Sequence, residues 1–117
     1  NFDVPLFKAN MGLIIQKIRR ASPNTTILLT APADNFRRRR YPNKNNAAAA
    51  MAMRDLGAQY GIVFWDFYQI MGGFESINDW YSSRLCQRDK LHFTARGYEV
   101  QGELLYQAIN QAYDAYK

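Results

Sequence analysis

The sequence contains Thr25-Thr26-Ile27-Leu28-Leu29-Thr30-Ala31-Pro32, a short apolar stretch from which the fold class of the chain follows. The stretch begins with β-branched residues, stays apolar through its middle and does not alternate between polar and apolar positions. These features predict a short strand that is buried on both faces and ends at Pro32. A second stretch of this kind is Ile62-Val63-Phe64-Trp65, which ends at Asp66.

Helical patterns surround both predicted strands. The first predicted helix covers residues 4–21, with Asp3 as its N-cap, because its apolar residues repeat at helical spacing. Further helices are predicted over about residues 46–60, 77–81 and 94–116. The main order is α-β-α-β-α, and strands that alternate with helices predict an α/β fold with a parallel sheet. Because an independently stable sheet generally needs about three strands or more, we expect the C-terminal part of a larger sheet.

Composition excludes several classes of protein. With 117 residues the chain suits one domain or a piece of one, and 48% hydrophobic with 21% charged residues is unlike a disordered tail. No stretch approaches the roughly 20 apolar residues of a transmembrane helix. The single cysteine, Cys86, cannot form an internal disulfide, and we expect a buried or incidental thiol. One histidine and scattered carboxylates lack the spacing of a zinc site, so we expect no metal and no cofactor.

The positive charge is concentrated in one run. The net charge is +5, from 15 Lys and Arg against 10 Asp and Glu, and four of the cations are Arg37-Arg38-Arg39-Arg40. Nucleic-acid-binding surfaces spread their cations over a face or a helix, so we expect no nucleic-acid partner. The run is predicted to be a solvated loop. Its alternative role is a clamp for an anionic substrate or a polyanionic surface, because guanidinium groups match carboxylates and phosphates.

Three candidate sites come from the rule that open parallel sheets bind ligands at the carboxyl ends of their strands, and the first is the segment of residues 32–43, which includes the arginine run. Asp66 lies at such an end, and we expect it to cap a turn. Asp89-Lys90-Leu91-His92 comes just before the last helix, which Thr94 is expected to cap. In a tight turn this spacing can bring the Asp89 carboxylate to Nδ1 of His92, which would leave Nε2 free to take a proton from a nucleophile. The alternative is a surface or capping pair without catalysis.

A longer block carries a resemblance to a known family. It reads Asp89-Lys90-Leu91-His92-Phe93-Thr94-Ala95-Arg96-Gly97-Tyr98, followed by Gly102, and it resembles the last conserved block of the SGNH (GDSL-like) hydrolases. Residues 18–32 are similar to the helix-to-strand unit that precedes the family's substrate loop. Met71-Gly72-Gly73 and the segment around Trp80 are similar to members that act on carbohydrate O-acetyl esters. The two glycines of the block are expected to let the last helix pack closely.

The resemblance implies both a fold and a chemistry. It implies a flavodoxin-like three-layer parallel sheet, with residues 1–117 as the C-terminal portion of a single hydrolase domain. It implies that Asp89 is the acid and His92 the general base of a Ser-His-Asp triad. The implied reaction is ester hydrolysis through an acyl-enzyme, with an O-acetylated carbohydrate as the favoured substrate and a lysophospholipid or another acyl ester as the next. A periplasmic or secreted protein is expected from that substrate.

The nucleophile of the family is missing from the chain. In the family, a Gly-Asp-Ser block holds the serine, and a glycine and an asparagine supply the oxyanion donors. These blocks belong to the N-terminal half and do not occur here. The serines that do occur lack that setting; they are Ser22, Ser76, Ser82 and Ser83. We therefore expect these 117 residues alone to hydrolyse no ester, and the N-terminal half of the same protein to be their partner.

A second interpretation comes from a different class of protein. It is a non-catalytic α/β module that binds an anionic partner through Arg37–Arg40, with Asp89 and His92 as a structural cap pair. Two roles are possible for the aromatic residues near the candidate sites. They either line a sugar or acyl pocket or pack beneath a long loop. These residues are Trp65, Phe74, Trp80 and Tyr81.

Overall fold

The helices and strands follow the predicted order, with three elements added. The computed structural model describes residues 2–116. Its elements are α1 (Val4–Ala21), β1 (Leu28–Thr30), β2 (Phe36–Arg37), β3 (Tyr41–Pro42), α2 (Asn45–Tyr60), β4 (Val63–Trp65), α3 (Phe67–Met71), α4 (Ile77–Ser82) and α5 (Ala95–Tyr116). The additions are the β2–β3 hairpin and α3. Strands of 2 residues and a helix of 5 residues are too short to show a periodic apolar pattern in the sequence.

The two apolar stretches form a parallel sheet, as the sequence predicts. The pairs are Leu28 with Val63, Leu29 with Phe64 and Thr30 with Trp65. The chain passes from β1 to β4 through α2, which contacts both strands. The fold is therefore mixed α/β with a small parallel sheet, and within residues 2–116 this sheet consists of β1 and β4.

The prediction that the first strand is buried on both faces is wrong for β1 as the described residues contain it. Leu29 and Phe64, which pair across the sheet, face the apolar core formed with α1 and α2. On the opposite face Leu28 is 40% exposed and Val63 is 62% exposed, whereas Trp65 is buried. A continuous apolar run does not distinguish a strand covered on both faces from a strand whose second face lies open. In these residues the core formed with α1 and α2 lies on one face.

The described residues divide into two compact units. The first contains residues 2–34 and 43–74, and so holds α1, α2, α3 and the parallel sheet. The second contains residues 35–42 and 75–116, and holds the β2–β3 hairpin, α4 and α5. No helix within the described ranges has the length and apolar character that a membrane crossing requires.

The first unit is held together by an apolar core. Ile15 of α1, Leu29 of β1 and Leu56 of α2 are all buried and pack against one another. The predicted start of α1 is confirmed, because the carboxylate of Asp3 accepts a hydrogen bond from the N–H of Leu6 (2.9 Å). An N-cap of this kind stabilises a helix by about 1 kcal/mol.

In the second unit, aromatic contacts join α4 to the start of α5. The ring of Phe93 stacks on Trp80 of α4, with 4.9 Å between centroids, and lies 5.3 Å from the ring of Tyr98 in α5. Such pairs contribute about 0.5–1.5 kcal/mol beyond the burial of their area. By contrast, Ile109 and Tyr116 in the C-terminal half of α5 are exposed.

The Arg37–Arg40 run forms a tight hairpin and not an irregular loop. The carbonyl of Arg37 accepts a hydrogen bond from the N–H of Arg40 (3.1 Å), and β2 pairs with β3 in antiparallel fashion. Arg38 and Arg39 have φ values of 51° and 63°, the signs of a type I′ turn. All four arginines are exposed, as the prediction of a solvated segment requires. A left-handed residue other than glycine costs on the order of 1–3 kcal/mol, so the hairpin carries backbone strain.

The double substitution Arg38→Asn, Arg39→Gly should stabilise the chain, because Asn-Gly is the favoured pair in a type I′ turn. We expect the free energy of unfolding, measured by urea denaturation, to rise by about 1 kcal/mol. The matched control is Arg37→Asn, Arg40→Gly, which removes the same charge at positions without a positive φ. An equal gain in the control would show that charge repulsion, and not backbone strain, limits the stability of the hairpin.

Candidate active site

Asp89 and His92 meet in a turn before α5, as their spacing predicts. Oδ2 of Asp89 lies 2.6 Å from Nδ1 of His92. Oδ1 of the same carboxylate accepts hydrogen bonds from the N–H groups of Leu91 (2.9 Å) and His92 (3.0 Å). Lys90 has a φ of 52°, in the left-handed region, within this turn. The carboxylate therefore closes the turn with one oxygen and holds the imidazole with the other.

Hydrogen bonding keeps the Asp89 carboxyl in its charged form. The side chain of His92 is the largest cause that lowers the pKa of Asp89 from 3.8 to about 2, and the N–H groups of His92 and Leu91 act in the same direction. Asp89 is therefore a carboxylate at neutral pH. Because a carboxylate can only accept, a neutral imidazole must carry its proton on Nδ1 and present the lone pair of Nε2.

The imidazole is accessible to an incoming group. The side chain of His92 is 62% exposed, and that of Asp89 is 27% exposed. Within residues 2–116 the ring of His92 is hydrogen-bonded to Asp89, and no serine hydroxyl bonds to it. The pair is arranged to take a proton at Nε2 from a nucleophile that approaches the exposed edge of the ring.

The serines of the chain occupy positions unrelated to His92. Ser76 is buried, and the hydroxyl of Ser82 donates to the carbonyl of Asn78 (3.0 Å). Ser22 and Ser83 are exposed. In the described part of the chain, no three His, Cys, Asp or Glu side chains are grouped so that they could hold a metal ion.

The backbone around the turn is closed by its own hydrogen bonds. The N–H of Gln87 donates to the carbonyl of His92 (2.8 Å), and the N–H of Lys90 donates to the carbonyl of Gln87 (3.0 Å). Cys86 and Phe93 form an antiparallel bridge beside them. The Cys86 side chain is the buried thiol that the sequence predicts, and burial raises its pKa. The turn is thus a small loop with paired ends.

Thr94 joins this turn to α5. Its Oγ1 accepts a hydrogen bond from the N–H of Gly97 (3.2 Å), which is the predicted cap, and donates to the carbonyl of Arg84 (2.9 Å). Its own N–H donates to the carbonyl of Leu85 (3.0 Å). Thr94, two residues after His92, therefore bonds the start of α5 to the segment that precedes the turn.

The start of α5 also approaches that segment very closely at Gly97. A Cβ at this position would lie 1.9 Å from the carbonyl oxygen of Leu85, so no side chain fits there. The expectation of close packing is confirmed at Gly97 and is wrong at Gly102, where a Cβ would meet nothing within 4 Å among the described residues. Sequence spacing places a glycine on a helix but does not show which neighbour it faces.

Lys90, which no sequence pattern indicates, connects the turn to other parts of the second unit. Its Nζ donates to Oδ1 of Asn78 in α4 (2.9 Å), and lies 4.6 Å from the ring centre of Phe36 and 5.6 Å from that of Tyr81. Its carbonyl accepts a hydrogen bond from the N–H of Phe36 (2.9 Å). These partners lie far from Lys90 along the chain, so local spacing gives no sign of them.

Asp66 has the structural role that the sequence predicts. Its Oδ1 accepts a hydrogen bond from the N–H of Gln69 and caps α3 (3.1 Å), while its Oδ2 pairs with Arg54 of α2 at 2.8 Å. These three residues and Tyr68 line a cavity of about 340 Å³. The cavity is built from the first unit, and the turn that holds His92 is built from the second.

The aromatic residues divide between the interior and the surface. Trp65 and Trp80 are buried, and Trp65 packs with its ring centroid 5.1 Å from that of Phe67. Phe74 and Tyr81 are exposed. The packing role therefore applies to the two tryptophans, while Phe74 and Tyr81 remain accessible to a ligand.

Comparison with known proteins identifies a family and two similar folds. The profile of the GDSL-like lipase/acylhydrolase family matches residues 1–100. The fold is similar to that of a peptidoglycan O-acetylesterase, with a TM-score of 0.87 and 21% identity over 96% of this chain and 33% of that chain. It is also similar to the esterase domain of the ORF1 protein from the zebrafish ZfL2-1 retrotransposon, with a TM-score of 0.67 and 20% identity over 95% of this chain and 61% of that chain. A search of curated proteins gave no significant match. The chain thus spans only part of each of these two structures.

The substitution His92→Ala should raise the pKa of the Asp89 carboxyl from about 2 toward 3.8, because the imidazole is the largest cause of the lowered value. NMR titration of the side-chain carboxyl carbon measures this change. A carboxyl whose pKa is lower in the folded than in the unfolded state stabilises the fold at pH values above its unfolded-state pKa. This stabilisation is lost as the pH falls through the folded-state pKa. Between pH 4 and about 2, wild type should therefore lose stability more steeply than the variant. An unchanged midpoint of the Asp89 titration in the variant would contradict the contact between Asp89 and His92.

The substitution Gly97→Ala should destabilise the chain by about 1–3 kcal/mol, because the added methyl group overlaps the backbone of Leu85. Gly102→Ala on the same helix is the matched control. It meets open space and should raise stability by up to about 1 kcal/mol, since alanine is the better helix former. Urea denaturation measures both, and equal effects of the two substitutions would rule out the close approach at Gly97.

Proposed function

The chain belongs to the GDSL-like lipase/acylhydrolase family, and on that premise we propose that Asp89 and His92 are the acid and the general base of a Ser-His-Asp triad in a serine esterase. The 2.6 Å contact between Oδ2 of Asp89 and Nδ1 of His92 is the observation that carries the proposal. It leaves Nε2 as the ring nitrogen that can take a proton from a serine. The serine and the oxyanion donors come, in this proposal, from the N-terminal half of the same protein.

The proposed reaction has two halves. In the first, Nε2 of His92 takes the proton of the serine hydroxyl while the serine oxygen attacks the acyl carbon. The imidazolium then gives this proton to the leaving alcohol, and an acyl-enzyme remains. In the second half, water takes the place of the alcohol and the free acid leaves. Asp89 stays ionised throughout because its pKa is low, and its charge stabilises the imidazolium.

Open surfaces of the chain support the N-terminal half as its partner. The parallel sheet has 2 strands, fewer than the roughly three that independent stability generally needs. Leu28 and Val63 on the sheet and Ile109 on α5 are exposed apolar residues that further elements would cover. The chain also spans 33% of the peptidoglycan O-acetylesterase structure. The complete protein in this proposal has a flavodoxin-like three-layer parallel sheet.

An O-acetylated carbohydrate is the proposed substrate. Residues 71–73 and the segment around Trp80 resemble those of family members that act on such esters. The exposed rings of Phe74 and Tyr81 supply the aromatic surface that ligand sites commonly use. Because carbohydrate esterases of this kind usually work outside the cytoplasm, a periplasmic or secreted location is part of the proposal.

Hydrolysis of p-nitrophenyl acetate, followed by release of p-nitrophenol, tests the proposal. The 117 residues alone should hydrolyse no ester above background, because nucleophile and oxyanion donors are missing. Joined to the N-terminal half, they should be active. There His92→Ala should lower kcat by about 10⁶ by removing the base, and Asp89→Asn should lower kcat by about 10⁴ by favouring the wrong tautomer.

The matched control is Asp114→Asn, which changes an exposed aspartate of α5 and should leave kcat unchanged. Substantial hydrolysis by the 117 residues alone, abolished by His92→Ala, would show that the nucleophile lies within this chain. An inactive complete protein that binds anionic polymers would favour the alternative, a non-catalytic module that uses Arg37–Arg40. The exposure of all four arginines supports that alternative.

A further inference from the structure

The arginine hairpin, residues 36–42, is bonded directly to the turn that holds His92. The N–H of Phe36 at its base donates to the carbonyl of Lys90 (2.9 Å), and the Nζ of Lys90 lies 4.6 Å from the ring centre of Phe36. Lys90 follows Asp89 in the turn. Hairpin and turn belong to the same compact unit. The hairpin therefore has a fixed base beside the proposed general base.

The four arginines do not stabilise the hairpin that carries them. Among residues 2–116, none of the four forms an ion pair with a carboxylate. Arg38 and Arg39 occupy left-handed positions where Asn and Gly are favoured. Four like charges on one short hairpin also repel one another. Backbone strain and charge repulsion at an exposed site both oppose folding. They point to arginines that serve to bind a ligand.

We propose, on the basis of the esterase function proposed above, that the arginine hairpin binds the substrate and that this substrate is a glycan bearing carboxylate groups. A guanidinium group binds a carboxylate through two parallel N–H···O bonds. Several arginines side by side hold a polymer with repeated carboxylates more tightly than one arginine does. Tyr41, which pairs with Arg37 and is 58% exposed, adds an aromatic surface beside the charges.

The bond between Phe36 and Lys90 determines which part of the substrate the hairpin binds. Arg37, Arg38 and Arg39 follow Phe36 by one to three residues, so they lie within roughly 10 Å of the bond to Lys90 at about 3.3 Å per residue. A glycan bound across these arginines therefore passes close to the turn. The ester that is hydrolysed then lies near a carboxylate-bearing sugar of the same chain.

Two other anionic partners fit the hairpin less well. Surfaces that bind lipid combine cations with several apolar side chains that enter the membrane, whereas the four arginines of this hairpin stand beside one exposed aromatic side chain, Tyr41. Nucleic-acid-binding surfaces spread their cations, whereas the rest of this chain has 11 cations against 10 anions once the 4 arginines are set aside. An anionic glycan also agrees with the carbohydrate ester proposed as the substrate.

Binding to polygalacturonate, a polymer of carboxylate-bearing sugars, tests the proposal without catalysis. In fluorescence anisotropy titrations, the chain should bind labelled polygalacturonate and should not bind labelled dextran, a neutral glycan. The variant R38N/R39G keeps the turn and removes two guanidinium groups, so its Kd should rise by about tenfold or more. Replacing all four arginines with lysine keeps the charge but loses the two-pronged bonds, and should weaken binding by a smaller factor.

The matched control is K17Q/R20Q, which removes two exposed charges from α1. It should change the Kd by about twofold at most, since salt screens charges that do not touch the polymer. Retained binding in R38N/R39G, or equal weakening in both variants, would overturn the proposal. Tighter binding to a single-stranded oligonucleotide or to vesicles of anionic lipid than to polygalacturonate would also overturn it.

Kinetics of the complete protein separate this proposal from the esterase proposal. If both hold, R38N/R39G should lower the ratio of kcat/KM for O-acetylated polygalacturonate to kcat/KM for O-acetylated dextran by about tenfold, mainly through KM. An active protein with an unchanged ratio would overturn the role of the hairpin alone. An inactive protein would overturn the esterase and so the substrate role, while the anisotropy titrations would still decide whether the hairpin binds the anionic glycan.

Discussion

The carboxylate of Asp89 is the group on which the candidate site depends. One of its oxygens accepts the N–H groups of Leu91 and His92, and the other lies 2.6 Å from Nδ1 of His92. The first set of bonds folds the turn, and the second orients the imidazole. Both need the carboxylate to be charged, and the same donors lower its pKa to about 2. One ionised group therefore both folds the turn and orients the proposed general base.

The turn can hold His92 in place because it is anchored on both sides. Toward the C-terminus, Thr94 caps α5, and Gly97 lets that helix approach the preceding segment. On the other side, Lys90 bonds to Asn78 of α4 and to the hairpin at Phe36. A side chain held by both anchors loses little further freedom when it acts, which is the condition for efficient proton transfer. Changes at either anchor, even without contact to His92, would alter the position of Nε2.

Local signals account for what the sequence predicted. The caps of α1 and α5 and the contact between Asp89 and His92 depend on residues three apart, and the structure contains all three. The hairpin was missed because Arg38 and Arg39 occupy left-handed positions that turn signals reserve for Asn and Gly. The partners of Lys90 were missed because they are distant in sequence. The prediction of burial on both faces was wrong, as the exposure of Val63 beside β1 shows. The apolar character of a strand shows what it can bury, whereas the neighbouring elements determine which of its residues are covered.

Because the imidazole of His92 is exposed, the pair of Asp89 and His92 needs a partner surface that excludes water. Two unit charges 4 Å apart interact by about 1 kcal/mol in water and by about 4 kcal/mol at an effective dielectric constant of 20. With the His92 side chain 62% exposed, water screens the interaction between the Asp89 charge and the imidazole. A surface that brings a serine to Nε2 also removes water from this edge of the ring, and so strengthens the same interaction. The turn supplies the geometry that the proposed general base requires, whereas the electrostatic environment that would make such a base effective depends on the surface that covers it.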